Sequence, residues 1–353
     1  MNPAPGGPRI PRQRPVGRRR RGSVLAALAA ASLTVGGSAG CGGIPPDPTR
    51  GPSATQAPPA LTVPALQSEF DAFAAQHPGE LSLAWAPVGA PDKVQTLGTT
   101  RDADAWSTIK VPIAVAALGH AGGAEKAPES MLTWVRAAIE WSDNDAAEAL
   151  YTSLGADKVA EEAVETVLRA VGDTRTDVDP DEGENHGFGR SVWRVEDSAR
   201  YAAHLPCASG DSAVVYDEMA RIEAEQRWGL GALGDRARFK GGWGPSDHGY
   251  LVRQIGTLDH DGGRTAVAFL VAPSDDAHET ATTTASALAT WFAGRLGPAD
   301  AGTCPGGEPT APITLTPRPS GTTSEPGTAT PTSTTPGSPA PTASSPTDGT
   351  SRR

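Results

Sequence analysis

Hydrophobic and polar positions follow two different periods along this chain, and the switches between them outline a fold. Residues 62–76 carry apolar side chains at helical spacing and run into His77-Pro78-Gly79, which predicts a first helix ending there. Residues 81–87 alternate like a half-buried strand, and 94–98 can return beside them after the turn at 89–92. A long helical block follows, with helices predicted over 107–118, 130–141, 146–154, 156–171, 195–205 and 212–227. The period then returns to two in 237–243, 250–258 and 265–272, with a hairpin turn at 259–263, and a helix over 279–296 closes the pattern. Strands and helices are segregated, which argues an α+β fold. The expected architecture is an antiparallel five-stranded sheet flanked by helices and assembled from both ends of the chain. An all-helical subdomain, about 107–227, is inserted between its second and third strands, leaving a cleft where the two parts meet.

Composition changes the picture at the two ends, 1–60 and 304–353, which hold 22 of the 33 prolines. Residues 1–21 hold seven arginines and no acid, and the apolar run 23–35 is short for a membrane span, so residues 1–40 read as an export signal. Gly36-Gly-Ser-Ala-Gly-Cys41 resembles a bacterial lipoprotein box with Cys41 as the lipidated residue; Ser38 stands where Leu is usual, and ordinary cleavage after a small residue is the alternative. Residues 41–60 are a flexible tether, 61–303 the folded domain, and 304–353 a Pro/Thr/Ser-rich tail, disordered from 310 onward and suited to O-glycosylation or passage through a cell wall. Loss of the seven signal arginines takes the formal charge from −11 to −18, which excludes nucleic acid as a partner. Cys207 and Cys304 then remain, either as one disulfide of an oxidising compartment or as two separate thiols.

Three stretches can carry chemistry. Ser107 and Lys110 lie three apart at the start of an apolar helix, which sets an amine beside a hydroxyl on one face. The plain alternative is a capping serine and a solvated lysine. Only five of the 30 basic residues are lysine, however, and lysine, unlike arginine, can surrender its proton and act as a base. Ser142-Asp143-Asn144 sits at a helix junction, where a hydroxyl can relay a proton and an amide can hold a carbonyl; a capping box of Asp145 and Glu148 explains the same residues structurally. Lys240-Gly241-Gly242 lies on an expected edge strand open to an extended substrate, or is a glycine kink with a snorkelling lysine.

Taken in order and on those elements, Ser107-x-x-Lys110, Ser142-Asp143-Asn144 and Lys240-x-Gly242 resemble the penicillin-binding and serine β-lactamase superfamily, with class A β-lactamases nearest. The resemblance implies Ser107 as the acylated nucleophile, Lys110 as its base, and Ser142 as a proton shuttle toward Lys240. It further implies that Asn144 binds the substrate amide and that the backbone N–H groups of Ser107 and Trp243 form an oxyanion hole. The acidic stretch 172–185 resembles the loop that carries the deacylating glutamate, which an ungapped count places at Glu182.

Departures from the pattern are as informative. Gly183 replaces the proline usual after that glutamate, Glu184-Asn185 falls one residue short of the usual loop ending, and the stretch from Lys110 to Ser142 is short. Gly241 replaces a Thr or Ser whose hydroxyl helps hold a substrate carboxylate. The folded domain has no Gly-x-Ser-x-Gly elbow, the one match at 36–40 lying in the export signal, nor a phosphate loop or dinucleotide fingerprint, and the seven histidines lack metal spacing, so no cofactor or metal is expected. The expectation is a monomeric exported serine hydrolase acting on β-lactams, held on the outer face of the membrane by a lipid on Cys41 or secreted. The alternatives are a penicillin-binding-type peptidase or transpeptidase acting on D-alanyl peptides of peptidoglycan, and a wall-associated binding lipoprotein without turnover.

Overall fold

A computed structural model describes residues 63–99, 102–179, 187–247 and 249–315. The signal, the tether, Cys41, Glu182 and the tail beyond 315 lie outside the described residues.

Helix α1 (Val63–Ala74) leads into strands β1 (Gly79–Pro87) and β2 (Gln95–Gly98). The helical block follows: α2 (Lys110–His120), α3 (Glu129–Glu140), α4 (Asn144–Thr152), α5 (Asp157–Arg169), α6 (Val195–His204) and α7 (Gly210–Glu218). Strands β3 (Ala237–Ser246), β4 (Gly249–His260) and β5 (Gly263–Pro273) and helix α8 (His278–Ala293) complete the order. The sheet is antiparallel throughout and runs β2-β1-β5-β4-β3, so the two chain ends do assemble one five-stranded sheet. β4 and β5 are buried along almost their whole length because α6 covers one face and α8 the other. β3 pairs only with β4 and is an edge.

Helix α2 is apolar nearly all round, which is the signature of a helix enclosed on every side. It packs against α3, α4, α5 and α7 and forms the axis of the inserted block. Pro112 falls in its first turn, just after a 3-10 turn over Trp106–Ile109, where a missing N–H is tolerated. By contrast α5 buries only Ala160, Val164 and Leu168, one stripe at a spacing of four, and leaves its charged side in water.

Two expectations need correction. The helix predicted over 212–227 stops at Glu218, because tertiary partners capture the backbone beyond it: Met219 O accepts from Phe239 N of β3 (3.2 Å) and Glu223 N donates to Glu140 O (2.9 Å). The tail assigned to 304–353 is packed over its first part. Cys304 is bonded to Cys207, Glu308 pairs with Arg264 at 2.6 Å, and Leu315 is buried against the core. The disulfide spans 97 positions, and closing so long a loop stabilises a fold by about 4 to 5 kcal/mol in the chain-entropy account.

Candidate active site

The polypeptide enters the helical block through a strained turn. Ala105 N donates to Ser191 O (2.7 Å) and Trp193 N to Ala103 O (2.9 Å), which pins residues 103–105 along 191–193. Trp106 then adopts φ +45°, a conformation that a bulky side chain rarely takes, and the 3-10 turn carries Ser107 onto α2. Neighbouring glycines accommodate this turn. A Cβ on Gly244 would collide with the Trp106 indole, and one on Gly242 would stand 2.8 Å from Ser107 N, so β3 can approach the turn only with glycine at both positions. The guanidinium of Arg190 lies 5.4 Å from the centre of the Trp106 ring and pairs with Asp104 at 2.7 Å.

Lys110 and Lys240 are both buried and converge on one hydroxyl. Lys240 Nζ donates to Ser142 Oγ at 2.9 Å, and Lys110 Nζ lies 3.5 Å from the same atom. Lys110 also donates to Ser142 O (2.6 Å), Asn144 Oδ1 (2.6 Å) and Asp143 O (3.3 Å), and Lys240 to Gly241 O (2.9 Å). Ser142 itself has φ +58°, which turns its carbonyl and hydroxyl inward toward the lysines. The junction is fixed from outside. Gln226 Nε2 donates to Trp141 O (2.9 Å), and Asp143 caps α4 by accepting from Ala146 N (2.9 Å), a cap worth about 1 kcal/mol. The cap is therefore Asp143 and not the Asp145–Glu148 box that the sequence suggests, since α4 begins one residue after Asp143.

Burial decides the charge on these amines. Desolvation lowers Lys110 to about 7, with the Asp143 carboxylate pulling the other way. Lys240 is held well below the ordinary lysine range, first by burial and then by the neighbouring Lys110 charge. An amine near 7 exchanges a proton readily at neutral pH, and a hydroxyl set between it and a second amine of lowered pKa is placed where a proton can be relayed.

Around this centre the expected residues separate into those brought together and those left apart. Ser107, Lys110, Ser142, Asn144, Lys240 and Gly242 meet at the joint between β3 and the helical block. Trp243 lies on the opposite face of β3, its ring edge-on to Trp228 at 6.3 Å, so only its backbone can serve the cleft. Gly241 faces that same aromatic pair: a Cβ there would lie 3.1 Å from the Trp228 indole. The acidic loop is knotted at both roots. Asp173 accepts from Thr176 Oγ1 (2.7 Å) and from Trp193 Nε1 (3.1 Å), Asp179 N donates to Ser191 Oγ (3.0 Å), and Gly187 N donates to the Asp179 carboxylate. Sequence reading missed Trp106, Gly244 and Arg190; the only local signal was a tryptophan next to the candidate nucleophile.

Solved structures decide which fold carries this arrangement. The ancestral class A β-lactamase GNCA superposes with a TM-score of 0.51 at 18% identity, over 65% of this chain and 99% of its own. The fold is that of a class A β-lactamase. The chromosome-encoded β-lactamase of Vibrio parahaemolyticus (TM-score 0.49, 13% identity, 64% of this chain and 98% of that one) is also similar. So is a β-lactamase from Desulfarculus baarsii (0.48, 18%, 66% and 99%). No protein-family model matches the sequence, and no curated protein does. Within the β-lactamase fold the three motifs occupy the joint between sheet and helical block, and the residues beyond α8 form a strap over the sheet.

Proposed function

We propose that the protein is an exported serine hydrolase that opens β-lactam amides through an acyl-enzyme on Ser107. The observation that carries this reading is the single hydroxyl of Ser142 set between two buried lysines, both with lowered pKa. Lys110, one helical turn from Ser107, takes the Ser107 hydroxyl proton in its neutral form. Ser107 Oγ attacks the lactam carbonyl carbon, and charge develops on the carbonyl oxygen beside the backbone N–H groups of Ser107 and Trp243. As the C–N bond breaks, Ser142 gives its proton to the departing nitrogen and regains one from the lysine pair. Asn144, already bonded to Lys110, orients the substrate amide. A water activated by Glu182 then releases the acyl group. Export and attachment through a lipid on Cys41 belong to the same reading, supported by the sequence of the first 41 residues.

A second reading, a penicillin-binding-type enzyme acting on D-alanyl peptides, draws on the partners of Lys110. These are carbonyl, hydroxyl and amide oxygens and no carboxylate among the described residues, an arrangement that serves acylation without by itself serving deacylation. Intact-mass measurement with a penicillin over time separates the readings. A transient adduct that maps to Ser107, disappears in Ser107→Ala and persists in Glu182→Ala is the expected result. A stable adduct insensitive to Glu182→Ala selects the second reading, and no adduct at all overturns both.

A further inference from the structure

The helical joint contains one buried cation that the chemistry above does not use. Arg253 of β4 sits directly opposite Gly242 in the ladder and points to the same face of the sheet, beneath the Ser107 turn. It is 1% exposed. Its Nη1 donates to three main-chain carbonyls, those of Ala103, Asp104 and Trp193, each at 3.0 Å, and its Nη2 donates to Ser198 Oγ of α6 at 2.7 Å. The guanidinium also lies 5.9 Å from the centre of the Trp193 ring.

Burying a guanidinium is costly, and an apolar side chain of similar volume would fill the space without that penalty. Burial lowers its pKa to about 10, opposed by the Asp104 charge, so it remains a cation at neutral pH. What the cation adds is a rigid fork of donors able to hold backbone from separate segments in one geometry. Residues 103–104 stand two positions before the strained Trp106 and three before Ser107 at their nearer end. Trp193 follows the far root of the acidic loop, and its Nε1 reaches Asp173 at the near root. The nucleophile turn and the far root of the acidic loop thus meet at one side chain, and Trp193 carries the connection on to the near root.

We propose that Arg253 is a positioning residue: by binding the carbonyls of Ala103, Asp104 and Trp193 together, it sets the Ser107 turn in register with the roots of the acidic loop. The proposal rests on the acyl-enzyme reading of Ser107. A displacement of about 1 Å in a reacting group can slow a reaction about 100-fold, so loss of this clamp registers in the rate constant.

The test follows Ser107 labelling by a penicillin in the full-length protein, reading both the rate constant and the fraction labelled. Arg253→Met is expected to lower the acylation rate constant about 100-fold while the labelled fraction stays complete and the half-saturating concentration changes little. Arg253→Lys is expected to recover part of the rate. Ser198→Ala, which removes the Nη2 bond together with the local Ser198 Oγ bond to Arg194 O in α6, is expected to slow acylation about 3-fold with the thermal midpoint nearly unchanged. A residue that merely supports folding gives the opposite signature, a smaller labelled fraction reacting at the wild-type rate constant, and that result overturns the proposal. Should Arg253→Met fail to fold, Ser198→Ala decides alone, and a wild-type rate constant there also overturns it. If the wild-type chain takes no label, the hydrolase reading itself fails; if it is labelled and the variants match it, only this inference does.

Discussion

Two clusters of buried charge flank the short stretch from Glu140 to Ser142, and they resolve the cost of burial in opposite ways. At Ser142 two lysines face one hydroxyl, with neutral oxygens as their other partners, and burial drives the proton off the amines. Two residues earlier, Glu140 of α3 and Glu218 of α7 face each other between Arg136 and Arg221. Arg221 lies 3.0 Å from Glu218 and 3.5 Å from Glu140, and Arg136 lies 3.7 Å from Glu218. Arginine keeps its proton, so here the carboxylate yields: burial first, then the hydrogen bond with Glu140, raises Glu218 to about 8. In a chain with 25 arginines and five lysines, two of the lysines stand in the first cluster and the cations of the second are both arginine.

The sharpest way to break this comparison is to make the first cluster resemble the second. Lys110→Arg keeps the positive charge and removes the ability to accept a proton, and is expected to lower the acylation rate at Ser107 about 1,000-fold while circular dichroism stays unchanged. A variant that acylates within 10-fold of wild type would show that Lys110 is not the base.

Next in size is a stability effect in the second cluster. The folded pKa of Glu218, about 8, lies above its ordinary 4.5. Between those values the folded state keeps a proton that the unfolded state has lost. Stability therefore falls as pH rises through that window and levels off above it. Glu218→Gln removes this titration, and its thermal midpoint relative to wild type is expected to rise by about 3 °C or more between pH 5 and pH 8.5. Parallel pH dependences of the two proteins would refute the shared-proton account.

The smallest effect tests how Lys110 is tuned. Acylation is expected to rise with pH through a limb centred near 7, as Lys110 loses its proton. Asp143→Asn preserves the α4 cap, since asparagine caps as well as aspartate, but removes the carboxylate that favours the protonated amine. The limb should move to lower pH by less than about one unit. A limb that stays in place would assign it to another group.

Much of the fold was legible in the sequence because the deciding signals are local. The switch from helical to alternating period located all five strands, and segregation of the two types gave their insertion order. The three motifs that meet at the joint were equally readable, since each is a short run whose members share a turn or a strand. What escaped depends on residues far apart in the chain. α7 is cut short by Phe239 and Glu140, and the tail beyond the Cys207–Cys304 disulfide, one of the two states the sequence offered, is held by Arg264, both through contacts without a local pattern. Arg253 looks like one more polar residue of an alternating strand until Ala103 and Trp193, 150 and 60 positions away, are seen to close on it. Glu182 rests on the match of its loop alone.

The glycine at 241 has a consequence for how such a site can change over time. Its missing side chain is matched by the Trp228 indole, 3.1 Å from where a Cβ would stand, and that indole leans on Trp243, whose backbone N–H the proposed oxyanion hole uses. A larger residue arriving at 241 would point at this aromatic pair and require the Trp228 indole to give by a few tenths of an ångström. Shrinking Trp228 first opens the space but removes a buried indole, at a cost of about 3 kcal/mol or more. The two positions are therefore coupled through the packing of the indole.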